Sequence, residues 1–123
     1  MPLVSVTAPG PASQLIDTSH YGSLHGGNAL ASMSKAAFVA VTRHCRKAVV
    51  MASLQRVDFV SQIKEGEVIE LAPRILKVGR SSVTAEVGLW AENLKSRERR
   101  RCGLGTFVMV AVDAAHRPIA AAE

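Results

Sequence analysis

The sequence has few of the residues that build disulfide frameworks, metal sites or base-stacking surfaces. Its two cysteines, Cys45 and Cys102, are too far apart to match a disulfide framework or a zinc motif. We therefore expect free thiols, no metal site and a reducing, cytoplasmic location. Only 4% of the residues are aromatic. This disfavours nucleic acid as a partner, because single-strand binders stack bases on exposed rings.

Long apolar runs are also missing. No run reaches the roughly 18 residues of a membrane span, and the N-terminus lacks the basic and apolar stretches of a signal peptide. Acidic residues are outnumbered, with 10 Asp and Glu against 15 Lys and Arg and a net charge of +5. This balance favours anionic partners, although it can equally serve solubility alone.

A helical pattern runs from Asn28 to about Arg43, directly after the pair Gly26-Gly27. Six consecutive apolar residues, Ala36 to Val41, make this helix apolar on nearly all sides, which predicts burial on most of its surface. Basic residues cluster at its end, where cations suit the negative pole of the helix dipole.

The apolar period changes to two after the helix. It predicts long strands at 49–54, 67–78, 82–91 and 101–113, and a short one at 1–6. Pro73 favours an edge position or a bulge for the second long strand. Strands joined by short turns pair antiparallel, and a lone apolar helix needs a sheet to cover it. We predict an α+β fold in one domain, residues 1–123, in which a curved antiparallel sheet of about five strands wraps around one long central helix. The ends, 1–16 and 114–123, are expected to be irregular.

Five segments, in this order, resemble the acyl-CoA thioesterase family of the hotdog fold. They are DTSHYGSLHGGNALASMSKAAF (17–38), RVDF (56–59), EGEVIEL (65–71), KVGRSSVTAEVGLWAE (77–92) and FVMVAVDAAHRP (107–118). Each motif is weak alone, but the ordered combination is fairly specific. The resemblance implies hydrolysis of acyl-CoA to free CoA and a carboxylic acid, with no cofactor beyond the CoA of the substrate. It also implies a homo-oligomer, with a dimer as the minimal unit and a hexamer built as a trimer of dimers.

The chain departs from the family at the two positions that the resemblance marks as a catalytic pair across a subunit interface. The helix aspartate is Ser34 here, and the asparagine of the opening loop is Ser19. A third departure is Gln62, where the family commonly has proline. A serine hydroxyl is a poor general base near neutral pH, so we expect impaired activity.

Gly26 and Gly27 stand where unpaired N–H groups at a helix N-terminus could stabilise an oxyanion. The alternative is that they only permit a tight turn. Ser34, Ser19 or His25 would position the attacking water. Ser34 could instead be a small residue packed on a crowded helix, and His25 could simply pack or cap its loop.

The segment Gly79-Arg80-Ser81-Ser82 could meet the pantetheine arm or phosphates of CoA, because glycine permits close approach and Arg and Ser donate to phosphate oxygens. A plain hairpin turn is the alternative. Arg100, within the basic run 95–101, could also bind nucleotide phosphates, unless this run is only a solvated hairpin tip. We assign Met33, Met51 and Met109 to core packing rather than to an acyl channel.

Three functions therefore remain open. The first is an acyl-CoA thioesterase, and the second is a non-catalytic acyl-CoA-binding protein that uses the same groove. The third, weaker one is nucleic-acid binding through the basic hairpin.

Overall fold

The computed structural model of the chain describes residues 2–4, 15–17, 26–61, 63–64 and 67–122. Its helix α1 spans Gly26–Cys45, two residues longer at each end than the sequence pattern predicted. The helix stops at Cys45, and the next residue, Arg46, has a positive φ of 58° and donates its N–H to the carbonyl of Thr42 at 2.7 Å. A residue in the left-handed conformation at this position is a common helix terminator. Within the described residues, no helix is long and apolar enough to cross a membrane.

Four long strands form one antiparallel sheet. They are β3 (Val49–Phe59), β4 (Val68–Val78), β5 (Ser82–Glu92) and β6 (Arg99–Ala111), in the spatial order β3-β6-β5-β4. Two short strands, β1 (Pro2–Val4) and β2 (Leu15–Asp17), pair with each other. The predicted α+β hotdog architecture is thus confirmed. Among the described residues the main sheet has four strands instead of about five, because β1 pairs with β2. Pro73 lies in β4, an edge strand, as predicted.

One face of the sheet packs against α1. Alternate residues of β5 point inward and are almost fully buried, as the period of two requires. They meet the helix face that carries Ala29, Met33, Ala36, Ala37, Ala40 and Val41, each at most 5% exposed. Gly105 of β6 lets the Met33 methyl and the Phe107 ring fill the space beside it.

The opposite face of α1 is open, which corrects the expectation of burial on most sides. Phe38 and Val39 lie within the apolar run but are 43% and 36% exposed. A single sheet covers only one side of a helix, and composition does not tell which apolar residues face away from it. The fold therefore leaves an apolar helix surface beside β3.

The segment after β6 folds back over one end of the sheet. A bridge joins Val112 to Pro118, and Ala121 is 2% exposed within the core. The Lys47 ammonium donates to the carbonyl oxygens of Ala120 and Ala122, at 2.6 and 3.4 Å. Apart from the bridge, the segment is irregular in secondary structure, yet it is packed and hydrogen bonded.

Candidate active site

An apolar groove of about 450 Å³ lies between the open face of α1 and the start of β3. Its lining consists of Ser34, Lys35, Phe38, Val39, Val49, Met51 and Met109. The helix contributes positions i, i+1, i+4 and i+5, which form one stripe along its surface. Met51 and Met109 are cross-strand partners in the β3–β6 ladder. Helix period and strand register together therefore build the groove.

The methionine prediction is only partly correct. Met33 is fully buried in the core, as expected, and Met109 is 3% exposed. Met51 is 49% exposed and forms one wall of the groove together with Met109. Flexible, polarizable methionine side chains adapt to ligands of different shape. These two residues thus give the groove an adaptable apolar wall.

Ser34 is the half-buried hydroxyl of the groove. It donates a hydrogen bond to the carbonyl oxygen of Leu30, 3.0 Å away and one turn back along α1. The hydroxyl proton is thereby occupied, and the oxygen keeps lone pairs that can accept a hydrogen bond. Ser34 can consequently orient a water molecule, but it cannot remove a proton from that water.

Among the described residues that line the groove, the polar side chains are those of Ser34 and Lys35. None of these lining residues carries a carboxylate or an imidazole, the usual general bases near neutral pH. Ser19 and His25 lie outside the described residues, so their predicted roles remain predictions. The described residues also contain no cluster of side chains suited to hold a metal ion.

Glu67 is the buried carboxylate of the described residues, and it serves a structural role elsewhere. It is 5% exposed and accepts hydrogen bonds from the Arg100 guanidinium at 2.5 and 2.9 Å and from the N–H of Lys64 at 2.7 Å. The hydrogen bonds from Arg100 lower the pKa of Glu67 and outweigh the opposing effect of burial, and the same contact raises the pKa of Arg100. An anion so strongly stabilised is a poor proton acceptor.

Glu67 is also at the wrong end of the sheet for a role in the groove. It directly precedes Val68, where β4 begins, whereas the other end of β4 pairs Val78 with Val83. Val83 in turn lies opposite the groove residue Met109. At about 3.3 Å per residue the eleven residues of β4 span roughly 33 Å, so Glu67 has no role in the groove of its own chain.

Arg100 was predicted to bind CoA phosphates. Its guanidinium contacts Glu67, as above, and also donates to the Ser61 hydroxyl at 2.8 Å. Its neighbour Arg99 lies 4.1 Å from the centre of the Trp90 ring and pairs with Glu70. These contacts tie two of the four arginines in the basic run to the sheet. The phosphate role of Arg100 stays a prediction, but it would have to compete with a buried ion pair.

Gly26 and Gly27 are the first two residues of α1. The N–H groups in the first turn of a helix have no partner within the helix, so both glycines stand where the oxyanion hypothesis needs them. Their role in binding a thioester oxygen remains a prediction.

The four predicted residues at Gly79–Ser82 form the β4–β5 turn. The Gly79 N–H donates to the Ser82 carbonyl at 2.7 Å, and the carbonyl oxygens of Arg80 and Ser81 accept N–H groups from Ala121 and Ala111, both at 2.8 Å. The Arg80 side chain is exposed. Because Val83 pairs with Met109, this turn lies at the same end of the sheet as the groove. The turn is thus at the groove end of the sheet, and Arg100 is at the opposite end.

Sequence reasoning missed four lining residues: Lys35, Phe38, Val39 and Val49. A signal was present, since a helix that is apolar on nearly all sides needs a second apolar surface opposite the sheet. Which residues form that surface becomes clear only from the packing of α1.

Comparisons with known proteins converge on one family. A family model described as the thioesterase superfamily matches residues 21–97. A Bacillus subtilis protein named as an uncharacterized acyl-CoA thioester hydrolase is 30% identical over 104 residues, which cover 85% of this chain and 60% of that protein. The VdlD protein of Helicobacter pylori is 33% identical, with 73% of this chain and 52% of that protein covered. The chain thus spans between half and two thirds of these relatives.

Solved structures show the same similarity. An acyl-CoA hydrolase from Agrobacterium tumefaciens, whose crystal structure is solved, is 40% identical in sequence with a TM-score of 0.78. The match covers 98% of this chain and 45% of the hydrolase chain. An apo-hexameric acyl-CoA thioesterase is 31% identical with a TM-score of 0.82, covering 98% and 73%. The Staphylococcus aureus acyl-CoA hydrolase, solved in complex with butyryl-CoA and CoA, is 26% identical with a TM-score of 0.78, covering 85% and 63%.

Proposed function

We propose, since the chain belongs to the thioesterase superfamily, that it hydrolyses acyl-CoA thioesters to free CoA and a carboxylic acid, more slowly than relatives that keep a carboxylate in the groove. The observation that carries the proposal is the apolar groove with the Ser34 hydroxyl in its lining. An apolar surface with few polar groups suits an acyl chain that ends in one reactive carbonyl.

The reaction adds a water oxygen to the thioester carbonyl carbon and breaks the carbon–sulfur bond, and the departing thiolate takes up a proton. The N–H groups of Gly26 and Gly27, at the positive end of α1, would stabilise the negative charge that develops on the carbonyl oxygen. Donors of this kind typically contribute a few kcal/mol when they are preorganised. This contribution needs no side chain, so it survives the loss of the carboxylate.

Water activation is the weaker half of the mechanism. The Ser34 oxygen, with its own proton donated to Leu30, would accept a hydrogen bond from water and hold it in place. General base catalysis usually contributes about 10²- to 10⁴-fold, and a serine supplies none of it. Ser19 and His25 are the remaining candidates to position water. The proposed rate is therefore low.

The comparisons support the same two positions. In the S. aureus hydrolase, alanine variants were crystallised at an asparagine and at an aspartate that are fifteen positions apart. Ser19 and Ser34 have the same spacing. We therefore assign the catalytic roles of this chain to the positions of those two serines, with CoA entering only as part of the substrate.

The CoA moiety would lie along the Gly79–Ser82 turn. The exposed Arg80 guanidinium and the Ser81 and Ser82 hydroxyls can donate to phosphate oxygens there. Arg100 is the less favoured contact, because it already binds Glu67.

We also propose that the 123-residue chain is one hotdog domain that acts as a homo-oligomer. Strand β3 is an edge of the sheet, and its exposed residues include Val50, Met51, Leu54 and Phe59. A long apolar edge strand is a template for pairing with another chain. Pairing of two β3 strands would bring a second copy to the groove, and three such dimers would form a hexamer, the assembly named for one of the relatives. A cytoplasmic location, consistent with the free, buried Cys45 and Cys102, completes the proposal.

Release of free CoA from a panel of acyl-CoA thioesters of increasing chain length tests the activity. We expect slow, saturable release that is proportional to enzyme concentration. A chain that binds CoA esters but releases no CoA above the buffer rate would instead support the second candidate, a non-catalytic acyl-CoA-binding protein. That candidate is favoured by one observation, the lack of a carboxylate or imidazole among the described groove residues.

A further inference from the structure

The backbone of the Gly79–Ser82 turn, proposed above to bind CoA, is hydrogen bonded to the C-terminal segment. The Arg80 carbonyl accepts the N–H of Ala121 at 2.8 Å, and the Ala121 methyl is 2% exposed within the core. The next carbonyl, that of Ser81, accepts the N–H of Ala111 at 2.8 Å. The backbone of the turn is therefore held on its inner side, while the exposed Arg80 side chain remains available to a ligand.

The C-terminal segment is held in its turn by one lysine. The Lys47 ammonium, just after α1, donates to the carbonyl oxygens of Ala120 and Ala122 at 2.6 and 3.4 Å. These carbonyls flank the residue whose N–H reaches Arg80. The neighbouring backbone adds one further bond, from the Val112 N–H to the Ala48 carbonyl at 2.9 Å. An ammonium with two carbonyl acceptors makes charge-assisted bonds, which are about twice as strong as neutral ones.

We infer that Lys47 is a positioning residue for the Gly79–Ser82 turn and acts through the segment Pro118–Ala122. The path runs from the Lys47 ammonium to the carbonyls of 120 and 122, then through the Ala121 N–H to the Arg80 carbonyl. Its effect is to keep the Arg80 guanidinium and the Ser81 and Ser82 hydroxyls in one arrangement before the ligand arrives. Preorganised donors bind more tightly because less conformational freedom is lost on binding.

The identity of the ligand, CoA, rests on the proposed function. The ordering of the turn by Lys47 does not depend on that function. The test compares Lys47→Met with Lys47→Arg and with Lys77→Met in the full chain. Lys77 is an exposed lysine two residues before Gly79, so its replacement removes a similar charge near the turn and leaves the C-terminal segment untouched. Coenzyme A itself is the probe for binding, and amide hydrogen exchange at Ala121 and Gly79 reports on the turn.

We expect Lys47→Met to weaken CoA binding by about three- to tenfold, with the loss in KM for acyl-CoA rather than in kcat. Exchange at Ala121 and Gly79 becomes faster in this variant. Lys47→Arg, which keeps the charged donor, restores most of the binding. Lys77→Met changes CoA affinity by less than about twofold and leaves both amides protected.

Equal effects of Lys47→Met and Lys77→Met on CoA affinity, with unchanged exchange at Ala121, would overturn the inference, since only charge would then matter. Should Lys47→Met fail to fold, Lys47→Gln retains one donor and is expected to give a smaller shift of the same kind. A wild-type chain that binds no CoA would contradict the proposed function. The comparison of amide hydrogen exchange between the variants would still decide whether Lys47 orders the turn.

Discussion

The Ser34 hydroxyl donates its proton to the carbonyl oxygen of Leu30, one helical turn away at 3.0 Å. This contact defines what the groove can do. Because the Ser34 hydroxyl donates its only proton to the backbone, its oxygen is left to accept a hydrogen bond in the groove. The oxygen is too weak a base to take a proton from water. The helix thus places a hydrogen-bond acceptor in the groove, at the position where the proposed mechanism needs a group to hold water.

Replacing Ser34 by aspartate should restore the missing base. We expect kcat/KM for acyl-CoA to rise by about 10²- to 10⁴-fold, the usual contribution of general base catalysis. Because the aspartate acts in its ionised form, the gained activity should fall as the pH drops through its pKa. Initial rates of CoA release across pH measure both effects.

The matched control is Ser34→Ala, which removes the hydroxyl and adds no base. Its rate should stay within about tenfold of wild type, the worth of one hydrogen bond. If the wild type were already as fast as the aspartate variant, the proposal that activity is limited by the lack of a base at position 34 would be wrong.

A substitution that fills the groove should raise KM for long-chain acyl-CoA more than for short-chain acyl-CoA. Val39→Trp places a large ring among Phe38, Met51 and Met109, where it would occupy the space of an acyl chain. We expect KM for long-chain acyl-CoA to rise about tenfold or more, with little change for acetyl-CoA, because each lost CH₂ contact costs about 0.8 kcal/mol. Leu76→Trp, on the exposed edge strand β4, is the control. Equal loss for short and long chains would mean that the acyl chain lies elsewhere.

The two edges of the sheet allow a paired test of assembly. Leu54 on β3 and Leu76 on β4 are exposed to nearly the same extent, 41% and 44%. Leu54→Lys should convert dimers to monomers in sedimentation measurements, because a lysine on an edge strand opposes pairing. Leu76→Lys should leave the assembly intact. Dissociation by Leu76→Lys alone would assign the interface to the opposite edge.

The ion pair between Glu67 and Arg100 should stabilise the fold in a pH-dependent way. Glu67→Gln is expected to reduce the free energy of unfolding by about 1–3 kcal/mol, since it weakens charged hydrogen bonds to a partner that stays partly buried. The folded pKa of Glu67 is lowered, so the stabilisation is present above the unfolded value of about 4.3 and is lost as the pH falls through the folded pKa. Denaturation at several pH values should show wild type and variant converging in acid.

Glu86→Gln is the control for an exposed pair. Its partner Arg74 is 69% exposed and lies 3.0 Å away. Surface pairs of this kind contribute about 0–1 kcal/mol. A loss for Glu86→Gln as large as that for Glu67→Gln would show that burial is not the reason for the stability of the Glu67 pair.

Gly105 should tolerate no side chain. A Cβ there would lie 2.8 Å from the ring of the fully buried Phe107 and 3.1 Å from the Met33 methyl. Gly105→Ala should destabilise the protein by about 1–3 kcal/mol through overpacking, as measured by chemical denaturation. Gly88→Ala would meet the half-exposed Trp90 at 3.1 Å, and this ring can turn toward solvent. We expect a smaller effect there, and an equal one would contradict the overpacking explanation.

The local elements follow closely from the sequence. The period of two in 82–91 matches the observed Ser82–Glu92, because a sheet that is buried on one face imposes strict alternation. Pro73 marked an edge strand because its nitrogen has no proton for a ladder bond. The ordered motifs from 17 to 118 identified the family, and the comparisons confirm this identification. The contacts of the basic run could not be predicted, because the charge of Arg100 alone did not show that it would bind Glu67.

By itself, the sequence determined the element order, the antiparallel α+β architecture and the presence of a serine, not a carboxylate, at position 34. These properties depend on neighbouring residues and on local periodicity, which the chain carries along its length. Only the tertiary structure decided which side of the apolar helix stays open, that Met51 and Met109 meet beside it, and that Lys47 reaches residues more than seventy positions away. Such contacts arise from strand order and packing, and no local pattern encodes which distant residues will be brought together.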